Sequence, residues 1–107
     1  MKVVVNASYG GFSLTEEGAR FLQEKYGIEL PDNSCYNFLG HKTFYSIPLA
    51  RNDYRLVDCV ESLAGPDGRF AGLGIIEIPD DVEWEIEEYD GYEWISEKHR
   101  TWYFKRK

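Results

Sequence analysis

Three stretches far apart in the sequence carry residue types suited to holding an anion. The first is Tyr9-Gly10-Gly11-Phe12, between an apolar run and the expected start of a helix. Free backbone N–H groups at a helix start attract phosphate or carboxylate, and paired glycines let a ligand approach the chain closely. The spacing lacks the full dinucleotide or Walker pattern, and a tight turn accounts for the same glycines. The second is Arg51-Asn52-Asp53. Arg51 can fork onto a phosphate and Asn52 can read a base or ribose edge, or the stretch is a helix cap beside a solvated arginine. The third is His99-Arg100-Thr101-Trp102. Arg100 on phosphate and Trp102 as a stacking ring would suit a phosphorylated aromatic ligand, and His99 has the chemistry of a general acid or base. No sequence-visible triad or H-x-x-x-H pattern accompanies it. A surface ion pair from Arg100 to the acidic residues upstream is the plainer account.

Those acidic residues form a fourth feature. Residues 77–97 hold ten Asp or Glu and no Lys or Arg, whereas the last ten residues hold five Lys or Arg. The two segments can attract each other, within one chain or between subunits. Rows of carboxylates can imitate a nucleic-acid backbone and block a basic partner, or form the wet face of an antiparallel hairpin. Glu83, Glu85 and Glu87 project along one face without convergent histidines or turn carbonyls, so neither a metal nor another cofactor is expected.

The elements that must position these groups follow from patterning. Lys2 to Val5 reads as a buried strand. Ser13-Leu14-Thr15-Glu16 has the form of a capping box, and Leu14, Gly18, Phe21 and Leu22 share one face of a helix over 14–26 that Gly27 ends. Gly18 on that face implies close backbone packing. Residues 28–50 are irregular, with turn chemistry at 31–34 and a short strand from Thr43 to Ile47. Asn52 or Asp53 caps a second helix whose apolar face is Leu56, Cys59, Val60 and Leu63. Leu73 to Ile78 is a strand closed by Pro79. Val82, Trp84 and Ile86 alternate with Glu83, Glu85 and Glu87, and Asp90-Gly91 is a two-residue hairpin turn. This turn sets Tyr89 opposite Tyr92, Ile86 opposite Ile95, Trp84 opposite Glu97, Trp94 opposite Glu87 and Lys98 opposite Glu83. It also sets Glu88 opposite Glu93, a like-charge conflict answered by water at the tip or by cations on a partner.

The 107 residues allow one domain, 1–107, with 43% hydrophobic and 16% aromatic residues. A net charge of −7 and a pI near 4.8 argue against broad nucleic-acid binding and against anionic membranes. A small anionic ligand needs only a few donors and stays open. The apolar start, Met1 to Asn6, is too short for a signal peptide or a membrane span, which implies a cytoplasmic protein. Cys35 and Cys59 have no zinc spacing; two reduced thiols are the simplest account, with a disulfide as the alternative.

Taken together, three segments resemble a family of short bacteriophage and bacterial proteins. They are Val3-Val4-Val5-Asn6 into Tyr9-Gly10-Gly11-Phe12-Ser13-Leu14, then Arg51-Asn52-Asp53-Tyr54-Arg55-Leu56-Val57, then Ile78 through Glu97 with His99-Arg100-Thr101-Trp102. They cover about half the chain, and Tyr54 stands where proline is expected. The resemblance brings no activity. It implies a phage or prophage setting, in which small accessory proteins often counter host defence, one strategy being to sequester a nucleotide immune signal.

The expected fold is α+β: a mixed, mainly antiparallel sheet with a long C-terminal hairpin and two helices packed on one face. The expected function is non-enzymatic capture of a small anionic, nucleotide-derived ligand in a host bacterial cell. The site would be drawn from Tyr9, Gly10, Gly11, Arg51, Asn52, His99, Arg100 and Trp102. A homodimer or higher homo-oligomer is expected from an exposed edge and the many aromatics. The alternatives are an acidic inhibitor that covers a basic host protein and, behind both, a small nucleotide hydrolase or phosphodiesterase using His99.

Overall fold

The computed structural model describes residues 1–8, 14–30, 47–97, 101, 102 and 104. Strand β1 (Lys2–Asn6) pairs antiparallel with β2 (Leu73–Glu77), with Lys2 opposite Glu77 and Asn6 opposite Leu73. The unbroken apolar run Val3-Val4-Val5 reflects burial on both faces of β1. Val4 joins Leu14, Leu22, Leu56, Cys59 and Val60 in one core, while Val3 and Val5 join Ile76, Ile78 and Ile95 in another. The helices lie over the first face. Over the second lies a separate three-stranded sheet of β3 (Glu85–Tyr89), β4 (Tyr92–Ser96) and β5 (Thr101–Trp102), in the order β3-β4-β5. The α+β class and the antiparallel hairpin hold. The strands divide into two stacked sheets because apolar residues on both faces of β1 need cover on both sides.

Helix α1 (Glu16–Tyr26) begins two residues later than its periodicity suggests. Thr15 stands at its N-cap without a side-chain bond, so Glu16 is the first helical residue and pairs with Arg20 instead of closing a capping box. Ser13 lies outside the described residues, as do residues 43–46 of the expected short strand. Gly27, at φ 68°, ends the helix. Gly18 is the close-packing position its place implied: a Cβ there would sit 2.9 Å from both Leu14 Cδ2 and Phe70 Cε2.

Asp53 caps α2 (Tyr54–Leu63) by accepting from the Arg55 N–H at 2.9 Å. Between the helices, Asp58 accepts from Lys25 Nζ and from the Tyr26 hydroxyl, each at 2.6 Å, and from Ser62 Oγ at 3.1 Å. The Lys25 ammonium, then the Tyr26 hydroxyl, hold its carboxyl below the usual range. Cys59 is a free, fully buried thiol 3.7 Å from the Gly18 carbonyl. Burial pushes it up to about 11.

The hairpin has the expected register. Asp90 (φ 51°) and Gly91 (φ 90°) both take the left-handed conformation that a tight two-residue turn needs. Tyr89 pairs with Tyr92, Glu88 with Glu93, Glu87 with Trp94 and Ile86 with Ile95. β5 continues the sheet with Ser96 opposite Thr101 and Ile95 opposite Trp102. Val82 and Trp84 precede β3 and pack, half-buried, against the Val3–Val5 core. Among the described residues no helix is long and apolar enough to cross a membrane.

Two outcomes follow from the helix layer. Iodoacetamide mapping by mass spectrometry at pH 8 should leave Cys59 unmodified in the native protein and label it in denaturant, because its thiolate is scarce and unreachable. Native labelling at the unfolded rate would contradict its burial. Asp58 has a folded-state pKa below its unfolded value, so its contribution is present at neutral pH. It is lost as pH falls below the ordinary carboxylate range and through the folded value. The midpoint of thermal unfolding of Asp58→Asn should therefore vary less than that of the parent across that acid window, and an unchanged acid limb would contradict the linkage.

Candidate functional site

Among the described residues β1 has a strand on one edge, and at its other edge lies a polar cluster. The Val4 N–H donates to the Arg51 carbonyl at 2.8 Å, and the Asn6 N–H donates to Glu93 Oε1 at 2.7 Å. Arg51 forks onto Glu93, Nη1 to Oε1 at 2.6 Å and Nη2 to Oε2 at 3.0 Å, and Nη1 also donates to the Val4 carbonyl at 3.4 Å. The Glu93 side chain is 11% exposed and that of Arg51 24%. Glu93 reaches this position because it lies on the inner face of β4 with Ile95. The like-charge conflict with Glu88 is thus answered within the chain: Glu93 turns to Arg51, and Glu88 accepts from the Gly91 N–H at 3.1 Å.

Three of the eight residues expected to hold an anion are described, Arg51, Asn52 and Trp102. Tyr9, Gly10, Gly11, His99 and Arg100 lie outside the described residues. Arg51 is described, and both arms of its fork are on Glu93. Asn52 is exposed beside α2, its Nδ2 3.5 Å from the Met1 sulfur. Trp102 is half-buried against the Val3–Val5 core, opposite Ile95. Arg51 holds β4 to β1.

The concave surface that the described residues do form is on the outer face of the hairpin sheet. An open groove of about 970 Å³ is lined by the acidic residues Asp81, Glu83, Glu85, Glu87 and Glu97, and Val82 and Trp84, whose side chains pack on the Val3–Val5 core, also border it. Its floor is the cross-strand row Glu85–Ser96–Thr101. Ser96 is 8% exposed, and among the described residues its hydroxyl has no hydrogen-bond partner. Glu87 accepts from Trp94 Nε1 at 3.1 Å, which orients one carboxylate.

Every Lys and Arg among the described residues pairs with a carboxylate elsewhere: Lys2 with Glu61, Arg20 with Glu16, Lys25 with Asp58, Arg51 with Glu93, Arg55 with Asp53 and Arg69 with Asp67. Among the described residues, no ion pair reaches Asp81, Glu83, Glu85 or Glu87. The groove is consequently a region of negative potential that intramolecular cations of the described residues do not offset. Its carboxylates spread along the sheet, and no group of three His, Cys, Asp or Glu among the described residues converges on a metal position.

The alternation of Glu83, Glu85 and Glu87 marked this face in the sequence. Ser96 and Thr101 gave no such signal, since only strand register places them in its floor. Glu93 was visible only as a conflict. No protein-family model, curated protein or solved structure matches the chain.

Proposed function

We propose that this protein binds a basic protein surface through the acidic outer face of its hairpin. The observation that carries the reading is the acidic groove in which Asp81, Glu83, Glu85 and Glu87 have no ion pair among the described residues, floored by the Ser96 hydroxyl, which has no partner among them. Charge of one sign on a rigid sheet steers an oppositely charged partner and rejects acidic ones. In the phage setting that the sequence resemblance implies, the partner is a host factor, and covering its basic surface blocks it without chemistry. Sequestration of a small nucleotide-derived ligand is the competing reading. It needs a cation other than Arg51, whose fork Glu93 fills.

Immobilised wild-type protein and the Glu83→Lys/Glu85→Lys/Glu87→Lys variant should differ against a bacterial lysate. The wild type should retain basic proteins that elute by about 0.5 M salt, where screening shortens to a few ångströms. The variant, with an unchanged thermal midpoint, should retain none of them. Retention of the same proteins by both would overturn the proposal. So would recovery of a nucleotide, and no basic protein, from the denatured wild-type complex by mass spectrometry.

A further inference from the structure

The groove is bounded by an edge strand. β3 is the first strand of its sheet, and β4 occupies only one of its edges. On its other edge, no described residue hydrogen-bonds the backbone of Glu85 to Tyr89. No proline interrupts the strand, which pairs with β4 residue for residue up to the turn at Asp90-Gly91, where Tyr89 is 73% exposed. Such an edge is a template for one more strand. Its side chains decide which strand. Glu85 and Glu87 point into the groove and Glu88 to the opposite face, so a second copy pairing edge to edge would set glutamates against glutamates, a destabilising arrangement.

From this geometry we infer that β3 accepts an extended segment of the basic partner as a fourth strand, with Lys or Arg at alternate positions. The inference rests on the proposed binding of a basic protein and specifies its mode. Residues two apart on a strand are about 6.5–7 Å apart and share a face. Cations at alternate positions of the added strand therefore lie beside Glu85 and Glu87 over the row that ends in Ser96 and Thr101. The backbone ladder supplies a second requirement that pure charge attraction lacks: the segment's alternate N–H groups must point at β3.

Fluorescence anisotropy with short synthetic peptides separates these requirements. The probe is a labelled, acetylated and amidated seven-residue peptide of Thr and Val with lysines at its third and fifth positions. One control has the same composition with adjacent lysines. Two further peptides carry backbone N-methyl groups on alternate residues, in the two possible phases. Strand addition predicts that the alternating peptide binds at least about tenfold tighter than the adjacent-lysine control, and that one N-methyl phase removes binding while the other keeps it; about 1.4 kcal/mol, the order of one or two backbone bonds, is tenfold. Glu85→Gln/Glu87→Gln should weaken the alternating peptide with an unchanged thermal midpoint. Equal binding of all four peptides, abolished by salt, would overturn strand addition and leave the basic-partner reading standing. No binding of any of the four at low salt would overturn both.

Discussion

A buried strand with one paired edge has backbone groups with nowhere to go, and an unmade buried bond costs about 1–3 kcal/mol. Among the described residues β1 is in this position, and Arg51 and Glu93 supply bonds that a neighbouring strand would supply. The Arg51 carbonyl takes the Val4 N–H, the Glu93 carboxylate takes the Asn6 N–H, and the Arg51 guanidinium reaches the Val4 carbonyl. The two side chains then neutralise each other through a two-point fork. Breaking a fully buried pair from one side costs about 3–5 kcal/mol, an upper bound for this partly buried one, against a total stability for a domain of about 5–15 kcal/mol. The cluster joins the loop before α2, β1 and β4, so all three layers depend on it.

The same contact decides which way the hairpin faces. A one-residue slip of β4 would turn Glu93 to solvent and bring its neighbours Tyr92 and Trp94 inward. With Glu93 held at β1, Ile86 and Ile95 pack on Val3 and Val5, and Glu85 and Glu87 must point outward. The acidic groove is therefore a consequence of the inner face being anchored. The glutamates divide between the sheet's faces: the inner Glu93 is paired with Arg51, and the outer Glu85 and Glu87 line the groove on which the proposed function rests.

Local signals were legible where one residue type has one physical use. Asp90-Gly91 gave the turn and with it every observed pair of the hairpin, because a two-residue loop leaves no freedom of register. Asp53 capped α2, and Gly18 marked the helix contact with Phe70. The start of α1 was misplaced because Ser13 and Glu16 match a cap pattern that Thr15 satisfies by backbone position alone. The pairing of Arg51 with Glu93 was not legible in the sequence because the two are 42 residues apart. Charge pairing across that distance has no period to read. Likewise the division into two sheets comes from which apolar residues face each side of β1, and alternation within a strand does not reveal what covers each face.

A double-mutant cycle on the buried pair tests this account most directly. Arg51→Met and Glu93→Leu, singly and together, are compared with the parent by urea unfolding. The account predicts that each single change loses up to about 3–5 kcal/mol, since it strands a charge at the edge of β1, and that the double variant loses much less than the sum. Additive losses, or single changes that leave stability within about 0.5 kcal/mol of the parent, would show that the pair does not close that edge.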